Sequence, residues 1–293
     1  MRIDAHQHFW RYHADDYPWM DADMEVLRRD WLPQDLRPLL EGQRIDACIA
    51  VQARASEDET DFLLMLATQY PWIAGVIGWV DLRASDLKRR LARWHDAPKL
   101  RGFRHQLQDE PNVHATVSDP GFRHGVRLLQ QQEKIYEVLV HAHQLDAVAS
   151  FCGACDEYWL VLDHLGKPAV RQHAHGAWRR KLQPLASMPH VLCKLSGLVT
   201  EAIDAAGQFD ANELRRYLDT ALELFGPQRL MFGSDWPVCL LAAPYARVAA
   251  IVESWAASLS VADRDALWGG TAQRAYRLRD VSTNDMSLVR RTE

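Results

Sequence analysis

The chain has 293 residues, of which 48% are hydrophobic and 25% charged, and its formal net charge is −5. These values are typical of a globular protein with a substantial core. The negative charge argues against nucleic acid or an anionic membrane as a partner. No segment approaches the roughly 20 apolar residues that span a bilayer, and the N-terminal residues lack a signal-peptide pattern. We therefore expect a cytoplasmic protein that is a monomer or a homo-oligomer.

Short apolar segments rich in β-branched and aromatic residues recur along the chain and predict strands. There are eight of them: 2–10, 46–53, 73–82, 100–107, 136–145, 159–166, 191–198 and 229–238.

Amphipathic segments with helical spacing separate these strands, at 58–71, 85–96, 119–133, 173–186, 210–227 and 243–257. Asp210 and Pro244 are typical helix starts, and Gly226-Pro227 is a typical helix end. Apolar strands that alternate with helices indicate parallel strands covered on both faces. Eight such units in this length favour a single (β/α)₈ TIM-like barrel domain over residues 1–293. An open doubly wound sheet is the alternative, but no Gly-rich phosphate loop follows the first strand.

Polar side chains stand near the carboxyl ends of the predicted strands, which is where (β/α)₈ barrels carry their functional groups. Burying such groups is costly unless they are paired or bound to a ligand, so their recurrence predicts a site. They are His6 and His8 on the first strand, Arg104 and His105 on the fourth, His141 and His143 on the fifth, His164 on the sixth, Lys194 on the seventh and Asp235 on the eighth.

Four of these residues have the chemistry of a metal site. A lone histidine is more often a hydrogen-bonded structural residue, but His6, His8 and His164 together with Asp235 are a stronger signal. Imidazole and carboxylate groups suit Zn²⁺, Mn²⁺ or Fe²⁺.

Strand alternation restricts where the neighbouring residues point. It places Asp163 on the side opposite to His164, with orientation of a neighbouring residue as the alternative. It allows only one of Arg104 and His105 to face the barrel mouth unless the strand has ended. Lys194, inside an apolar strand, is expected to face the site and to hold a carboxylate, a carbonyl oxygen or a sugar hydroxyl.

Two tryptophans follow the first and last strands. Trp10 and Trp236 are candidates for the wall of a substrate pocket, and ordinary packing at the barrel rim is an equally good explanation. The fifth strand offers both His141 and His143, and the sequence does not decide which of them faces the site.

The motifs "DAHQHFW", "HAHQL", "VLDHLGKP", "CKLSGL" and "FGSDWPV", spread between residues 4 and 238, resemble the amidohydrolase superfamily. Within it they are similar to the amidohydrolase-2 branch that includes the L-fucono-lactonase and L-rhamnono-lactonase group. This resemblance implies a (β/α)₈ barrel that hydrolyses a carbonyl compound with activated water.

The resemblance also implies roles for individual residues. Asp235 matches the general base, His6 and His8 match metal ligands, and His164 matches a ligand or a carbonyl-polarising group. It implies one divalent metal ion, with zinc as the expected identity, although some lactonases of the branch are thought to work without metal. Binuclear members carry a carboxylated lysine on the fourth strand. Arg104-His105 stands there instead, which argues against a two-metal bridge.

The resulting hypothesis is hydrolysis of a sugar-acid lactone, such as L-fucono-lactone, to the aldonic acid by water that Asp235 activates. A metal-dependent decarboxylase or amide hydrolase is the alternative within enzymes, and a non-catalytic sugar-acid-binding barrel is the alternative outside them. The residues expected to bind the substrate are Arg104, His105, His143, Lys194, Trp10 and Trp236.

Overall fold

A computed structural model describes residues 1–278 of the chain, so the last residues of the expected 1–293 domain lie outside it. Its strands are β1 (Ile3–Gln7), β2 (Ala47–Val51), β3 (Ile73–Gly78), β4 (Leu100–His105), β5 (Ile135–Val138), β6 (Leu160–Leu162), β7 (Val191–Leu195) and β8 (Leu230–Phe232).

The eight strands form one parallel sheet in the order in which they occur in the chain. The ring is completed just beyond the strand ends, where the backbone N–H of Asp235 donates to the carbonyl of His6 at 2.8 Å. The N–H of His8 donates to the carbonyl of Trp236 at 2.7 Å. The (β/α)₈ barrel is therefore confirmed, and each predicted strand overlaps an observed one, although β5 begins one residue before the predicted segment 136–145.

Helices follow the strands and cover the outside of the barrel. The described ones are α1 (Pro33–Gly42), α2 (Glu57–Gln69), α3 (Leu87–Ala92), α4 (Val113–Ser118), α5 (Pro120–Gln131), α6 (Leu145–Ala154), α7 (His175–Ala186), α8 (Leu198–Ala202), α9 (Ala211–Phe225), α10 (Tyr245–Ala256), α11 (Val261–Asp265) and α12 (Thr271–Ala275).

The predicted helix boundaries have the expected chemistry. The Asp210 side chain accepts a hydrogen bond from the N–H of Asn212 and so caps the start of α9, which ends before Gly226. Pro244 directly precedes α10. Within residues 1–278, none of the helices combines the length and the apolar character needed to cross a membrane.

The barrel interior is packed, and its amino-terminal end is closed by the last helix. Ile49, Val161 and Met231 belong to one buried cluster that also contains Tyr276, the residue after α12. Gly269 lies against the backbone of Met1, which places this end of the chain beneath the strands. The opposite end, at the carboxyl ends of the strands, is left for the polar residues.

Candidate active site

Four of the predicted site residues converge at the carboxyl ends of β1, β6 and β8. Nε2 of His6 lies 3.2 Å from Nε2 of His8. Oδ1 of Asp235 lies 3.4 Å from Nε2 of His8, 3.8 Å from Nε2 of His6 and 3.9 Å from Nε2 of His164. All four residues are almost fully buried. The structure therefore brings together side chains from both ends of the chain.

The ring of His8 is oriented by the neighbouring strand. Its Nδ1 lies 2.8 Å from the carbonyl oxygen of Val51, to which it donates a hydrogen bond. Nε2 of a neutral His8 then keeps its lone pair and points at Asp235. A backbone acceptor behind a ligand histidine is the usual way in which proteins fix the tautomer of such a ring.

The backbone on the other side of the site is left-handed. His164 has φ 53° and Asp235 has φ 60°, values that are uncommon for residues with a side chain. Gly197, at φ 64°, provides room for the His164 ring, since a Cβ there would lie 2.7 Å from Nδ1 of His164. Strained backbone of this kind is concentrated at functional sites.

The left-handed turn also corrects the expectation for Asp163. Asp163 continues the inward side of β6 that Val161 occupies, and the left-handed turn that begins at His164 brings the His164 side chain to the barrel mouth as well. Oδ1 of Asp163 lies 3.3 Å from Nδ1 of His6. Asp163 is therefore a site residue that the alternation argument had placed on the wrong side.

The charges of the site follow from its burial. Burial lowers the pKa of His6, and the ammonium of Lys194 lowers it further. Burial likewise lowers the pKa of His8 and of His164. Burial opposes ionisation of Asp235, but the histidines beside it outweigh that effect and hold its pKa below the usual range. The site thus presents neutral imidazoles around an ionised carboxylate.

These groups fit a divalent metal ion. Ligand atoms about 2.0–2.1 Å from a tetrahedral Zn²⁺ lie roughly 3.3 Å from one another. The spacing of His6, His8 and Asp235, at 3.2, 3.4 and 3.8 Å, is close to that value. Neutral imidazole and ionised carboxylate are also the protonation states that bind metal. A second group of possible ligands is formed by His6, Asp163 and His164.

Lys194 is placed inside the barrel, as expected, but not where a substrate could reach it. Its side chain is fully buried, and its Nζ lies 2.6 Å from Oε1 of Glu137, 3.2 Å from Oδ1 of Asp163 and 3.2 Å from Nδ1 of His6. Two carboxylates and one imidazole nitrogen of the protein therefore surround the ammonium. The expectation that Lys194 binds the substrate is therefore corrected.

Glu137 and Tyr276 extend this buried group toward the amino-terminal end of the barrel. The hydroxyl of Tyr276 donates to Oε1 of Glu137 at 2.6 Å. Neither residue was among the predicted site residues. Glu137 carried the same signal as Lys194, a charged residue inside an apolar strand, whereas Tyr276 gave none.

Arg104 and His105 point in different directions, as alternation requires. Nη1 of Arg104 lies 3.0 Å from Oδ2 of Asp163 and 3.3 Å from Nε2 of His6 inside the barrel. His105 instead forms an ion pair with Glu110, with Nε2 and Oε1 2.6 Å apart.

His105 lines a cavity of about 870 Å³ at the carboxyl ends of β2 and β4. Its wall contains one tryptophan and many acidic and amide groups: Asp15, Asp16, Pro18, Trp19, Arg54, Ala55, Ser56, Asp58, His105, Gln106, Asp109 and Glu110. The cavity adjoins the strand end that orients His8, because Arg54 and Gln106 lie just beyond β2 and β4.

The other predicted substrate contacts lie elsewhere. His143 is exposed, and its ring stacks on that of His141 at 5.6 Å, so within residues 1–278 neither histidine bonds to the four converging groups. Trp10 is fully buried and donates its indole N–H to the carbonyl of Arg29 at 2.9 Å. Trp236 is also fully buried, with its ring against Trp31. Both tryptophans therefore pack in the core, and neither forms the wall of an open pocket.

Comparison with known proteins agrees with this geometry. The family model described as Amidohydrolase matches residues 3–278. An L-fucono-1,5-lactonase of Burkholderia multivorans is 57% identical over 95% of this chain and 96% of its own length. An L-fucono-1,5-lactonase of Burkholderia ambifaria is 33% identical over 94% of this chain and 96% of its own.

A solved structure is similar throughout. The crystal structure of an amidohydrolase from Burkholderia multivorans with bound zinc superimposes with a TM-score of 0.91 at 56% identity. The match covers 95% of this chain and all of the other.

Proposed function

We propose that this chain, which belongs to the amidohydrolase family, hydrolyses the ring ester of a sugar-acid lactone and releases the aldonic acid. L-Fucono-1,5-lactone is the first substrate to test, because two relatives that match nearly the full chain carry that name. The observation that carries the proposal is the carboxylate of Asp235 within 4 Å of three buried imidazoles at the barrel mouth. This arrangement pairs a base with groups that can polarise a carbonyl.

His6, His8 and Asp235 are the residues that would hold one divalent metal ion, and His164 lies beside them. We propose zinc, since imidazole and carboxylate ligands suit it and the zinc-bound relative shares 56% of its residues with this chain. When bound, such an ion supplies a Lewis acid that polarises a carbonyl oxygen and lowers the pKa of water.

Asp235 has the position and charge of a general base. Its carboxylate takes a proton from the attacking water and returns it to the ring oxygen when the ester bond breaks, so no proton is lost from the site. Positioned acid–base groups of this kind contribute about 10²–10⁴-fold in rate.

His164 is proposed to stabilise the oxyanion that develops on the carbonyl. Its Nδ1 lies 2.9 Å from the hydroxyl of Ser196. When Ser196 donates to that nitrogen, Nε2 carries the proton of the neutral ring and donates to the substrate oxygen. One donor placed in this way is worth about 10²–10³ in rate.

The sugar hydroxyls are proposed to lie toward the cavity that His105 lines. Gln106 and the His105–Glu110 pair supply donors and acceptors there, and Trp19 supplies an aromatic face. A small number of directed polar groups on a concave wall is typical of small-molecule sites.

The test is a panel of aldonolactones followed with a pH indicator, because each turnover releases an acid. We expect hydrolysis of deoxy-sugar 1,5-lactones, and loss of activity after chelation that zinc restores. Activity that resists chelation would contradict the metal part alone. Failure to hydrolyse any lactone, with or without zinc, would contradict the proposed function.

A further inference from the structure

A buried acidic side chain lies beside the wall of the cavity that His105 lines. Glu59 is 2% exposed and stands in the first turn of α2, which has Ser56 as its N-cap. A glutamate at this position commonly accepts a hydrogen bond from the N–H of the N-cap residue. Oε2 of Glu59 instead accepts from the N–H of Ala53 at 3.0 Å and from that of Arg54 at 2.9 Å. Its hydrogen bonds are therefore directed to the segment that follows β2.

The carbonyl of Ala53 connects this segment to two others. It accepts from the indole N–H of Trp19 at 3.1 Å and from the side-chain amide of Gln106 at 3.2 Å. Trp19 follows β1, Gln106 follows β4, and both line the cavity. One backbone oxygen thus holds two side chains of the proposed sugar-binding wall, and these side chains come from different parts of the chain.

The peptide group between Ala53 and Arg54 transmits the effect of Glu59. The carbonyl of Ala53 and the N–H of Arg54 belong to this one planar group and, because the peptide is trans, point in opposite directions. Glu59 holds the N–H, and so it fixes the direction of the carbonyl to which Trp19 and Gln106 donate. Without that acceptor, the peptide can rotate away from both side chains.

A further contact joins the carboxyl to the segment after β1. The hydroxyl oxygen of Tyr17 lies 3.4 Å from Oε1 of Glu59, and both residues are buried. Backbone hydrogen bonds of 2.9 and 3.0 Å between Trp10 and Trp31 close this segment at its base. Glu59 therefore contacts the two loops, after β1 and after β2, that meet at the cavity.

We infer that Glu59 is a positioning residue for substrate binding, which holds Trp19 and Gln106 in the cavity wall through the peptide group between Ala53 and Arg54. It acts through these groups and does not touch the substrate. The inference rests on the proposed function, and in particular on the placement of the sugar in this cavity.

The reacting groups are held independently of Glu59. The carbonyl of Val51, which orients His8, lies within β2, where Val51 pairs with Ile77 of β3. The sheet thus fixes that carbonyl even when the segment beyond β2 moves. Loss of the Glu59 acceptor should consequently weaken substrate binding and leave the chemical step almost unchanged.

Glu59→Leu and Glu59→Gln separate the acceptor from the bulk of the side chain. Leucine removes both oxygens, whereas glutamine keeps one oxygen that can accept from the two N–H groups. For L-fucono-1,5-lactone we expect KM to rise about tenfold in Glu59→Leu, with kcat within roughly threefold of the wild type, and KM of Glu59→Gln to stay close to that of the wild type. A role in folding alone predicts fewer active molecules, which lowers kcat and leaves KM unchanged. An unchanged KM in folded Glu59→Leu, or an equal rise in both variants, would overturn the inference.

Glu59→Asp covers the case in which Glu59→Leu does not fold. It keeps a carboxyl, but its side chain is shorter by one CH₂ group and is too short to bond to both N–H groups in the same geometry. We expect KM to rise roughly threefold with kcat almost unchanged. In that case a wild-type KM in Glu59→Asp would overturn the inference.

A measurement without substrate tests the positioning directly. In protein labelled with ¹⁵N-tryptophan, the rate at which the Trp19 indole N–H exchanges with water reports its bond to the Ala53 carbonyl, with assignment from Trp19→Phe. We expect this exchange to be slower than that of a free indole in the wild type and about tenfold faster in Glu59→Leu than in the wild type. The indole of Trp178, which donates to the carbonyl of Leu165 at 2.8 Å, is the internal control and should be unchanged.

The two measurements separate the inference from the proposed function. An unprotected Trp19 indole in the wild type, or protection that survives in folded Glu59→Leu, would overturn the inference whether or not a lactone is hydrolysed. A wild-type protein that hydrolyses no lactone would contradict the proposed function, and the exchange rates would still decide whether Glu59 positions the cavity wall.

Discussion

Oδ1 of Asp235 lies 3.4 Å from Nε2 of His8, although the two residues stand near opposite ends of the chain. Closure of the barrel creates this contact, because the first strand and the segment after the last strand exchange backbone hydrogen bonds beside it. The base and its neighbouring imidazole are thus held by the same hydrogen bonds that complete the fold.

Asp235→Asn removes the proposed base while keeping the size of the side chain. We expect kcat for lactone hydrolysis to fall about 10³-fold, within the range for loss of a general base. Steady-state kinetics with circular dichroism as a check of folding measures this. A folded variant with more than a tenth of wild-type kcat would exclude Asp235 as the base.

The candidate metal site predicts that substitutions of His8 and His143 differ in their effect on bound zinc. His8→Ala removes one of three converging ligand atoms, so the purified protein should retain less than one tenth of the zinc bound by the wild type. His143→Ala is the control, because His143 is exposed and its ring stacks on that of His141. Elemental analysis after dialysis reports both. Equal zinc in the two variants would show that these histidines hold no metal.

Gly197→Ala tests the space that the His164 ring needs. The added Cβ would lie 2.7 Å from Nδ1 of His164, so the ring must move and kcat/KM should fall at least tenfold. Gly207→Ala is a matched control, since it has φ 75° but no atom within 4 Å of the added Cβ. Both variants carry a left-handed residue, which costs roughly 1–2 kcal/mol, so their loss of thermal stability should be similar while only the first loses activity.

The buried carboxyl of Glu59 should make the free energy of unfolding depend on pH. Burial raises the pKa of its carboxyl from 4.5 to about 7, in spite of hydrogen bonds from the N–H groups of Ala53 and Arg54. The folded state therefore holds a proton that the unfolded state releases between these values. Stability from this group is complete below pH 4.5 and is lost as the pH rises through 7, by about 3 kcal/mol.

Urea unfolding of the wild type and of Glu59→Gln at pH 5 and pH 8 measures this effect. The free energy of unfolding of the wild type should fall relative to that of the variant as the pH rises. Glu41→Gln, at a carboxylate that is 60% exposed, is the control. The prediction fails if the difference between wild type and Glu59→Gln is the same at both pH values.

The sequence predicted the barrel and the four converging residues because both depend on short-range regularities. Strand-sized apolar segments alternated with amphipathic ones, and His6, His8, His164 and Asp235 stood just where the apolar segments ended. The type of residue at the end of each strand was therefore enough to predict both the strand and the site residue that follows it.

The predictions that failed concern the direction in which individual side chains point. Trp10 and Trp236 flank the site in sequence, but their rings turn into the core, where burial of a large aromatic surface is favourable. His143 follows β5 yet lies on the exposed outer edge. The expectation that Asp163 and His164 face opposite sides failed because a left-handed turn begins at His164 and brings that side chain to the same end of the barrel as Asp163.

The sequence by itself therefore determined the (β/α)₈ architecture, the family resemblance and the chemical types of the groups at the barrel mouth, since these follow from patterning within and between successive units. Only the tertiary structure decided that Glu137, Asp163 and His6 surround Lys194, and that Tyr276 bonds to Glu137 from the closed end of the barrel. Such contacts join residues far apart in the chain. They depend on the three-dimensional register of eight strands, which no local pattern encodes.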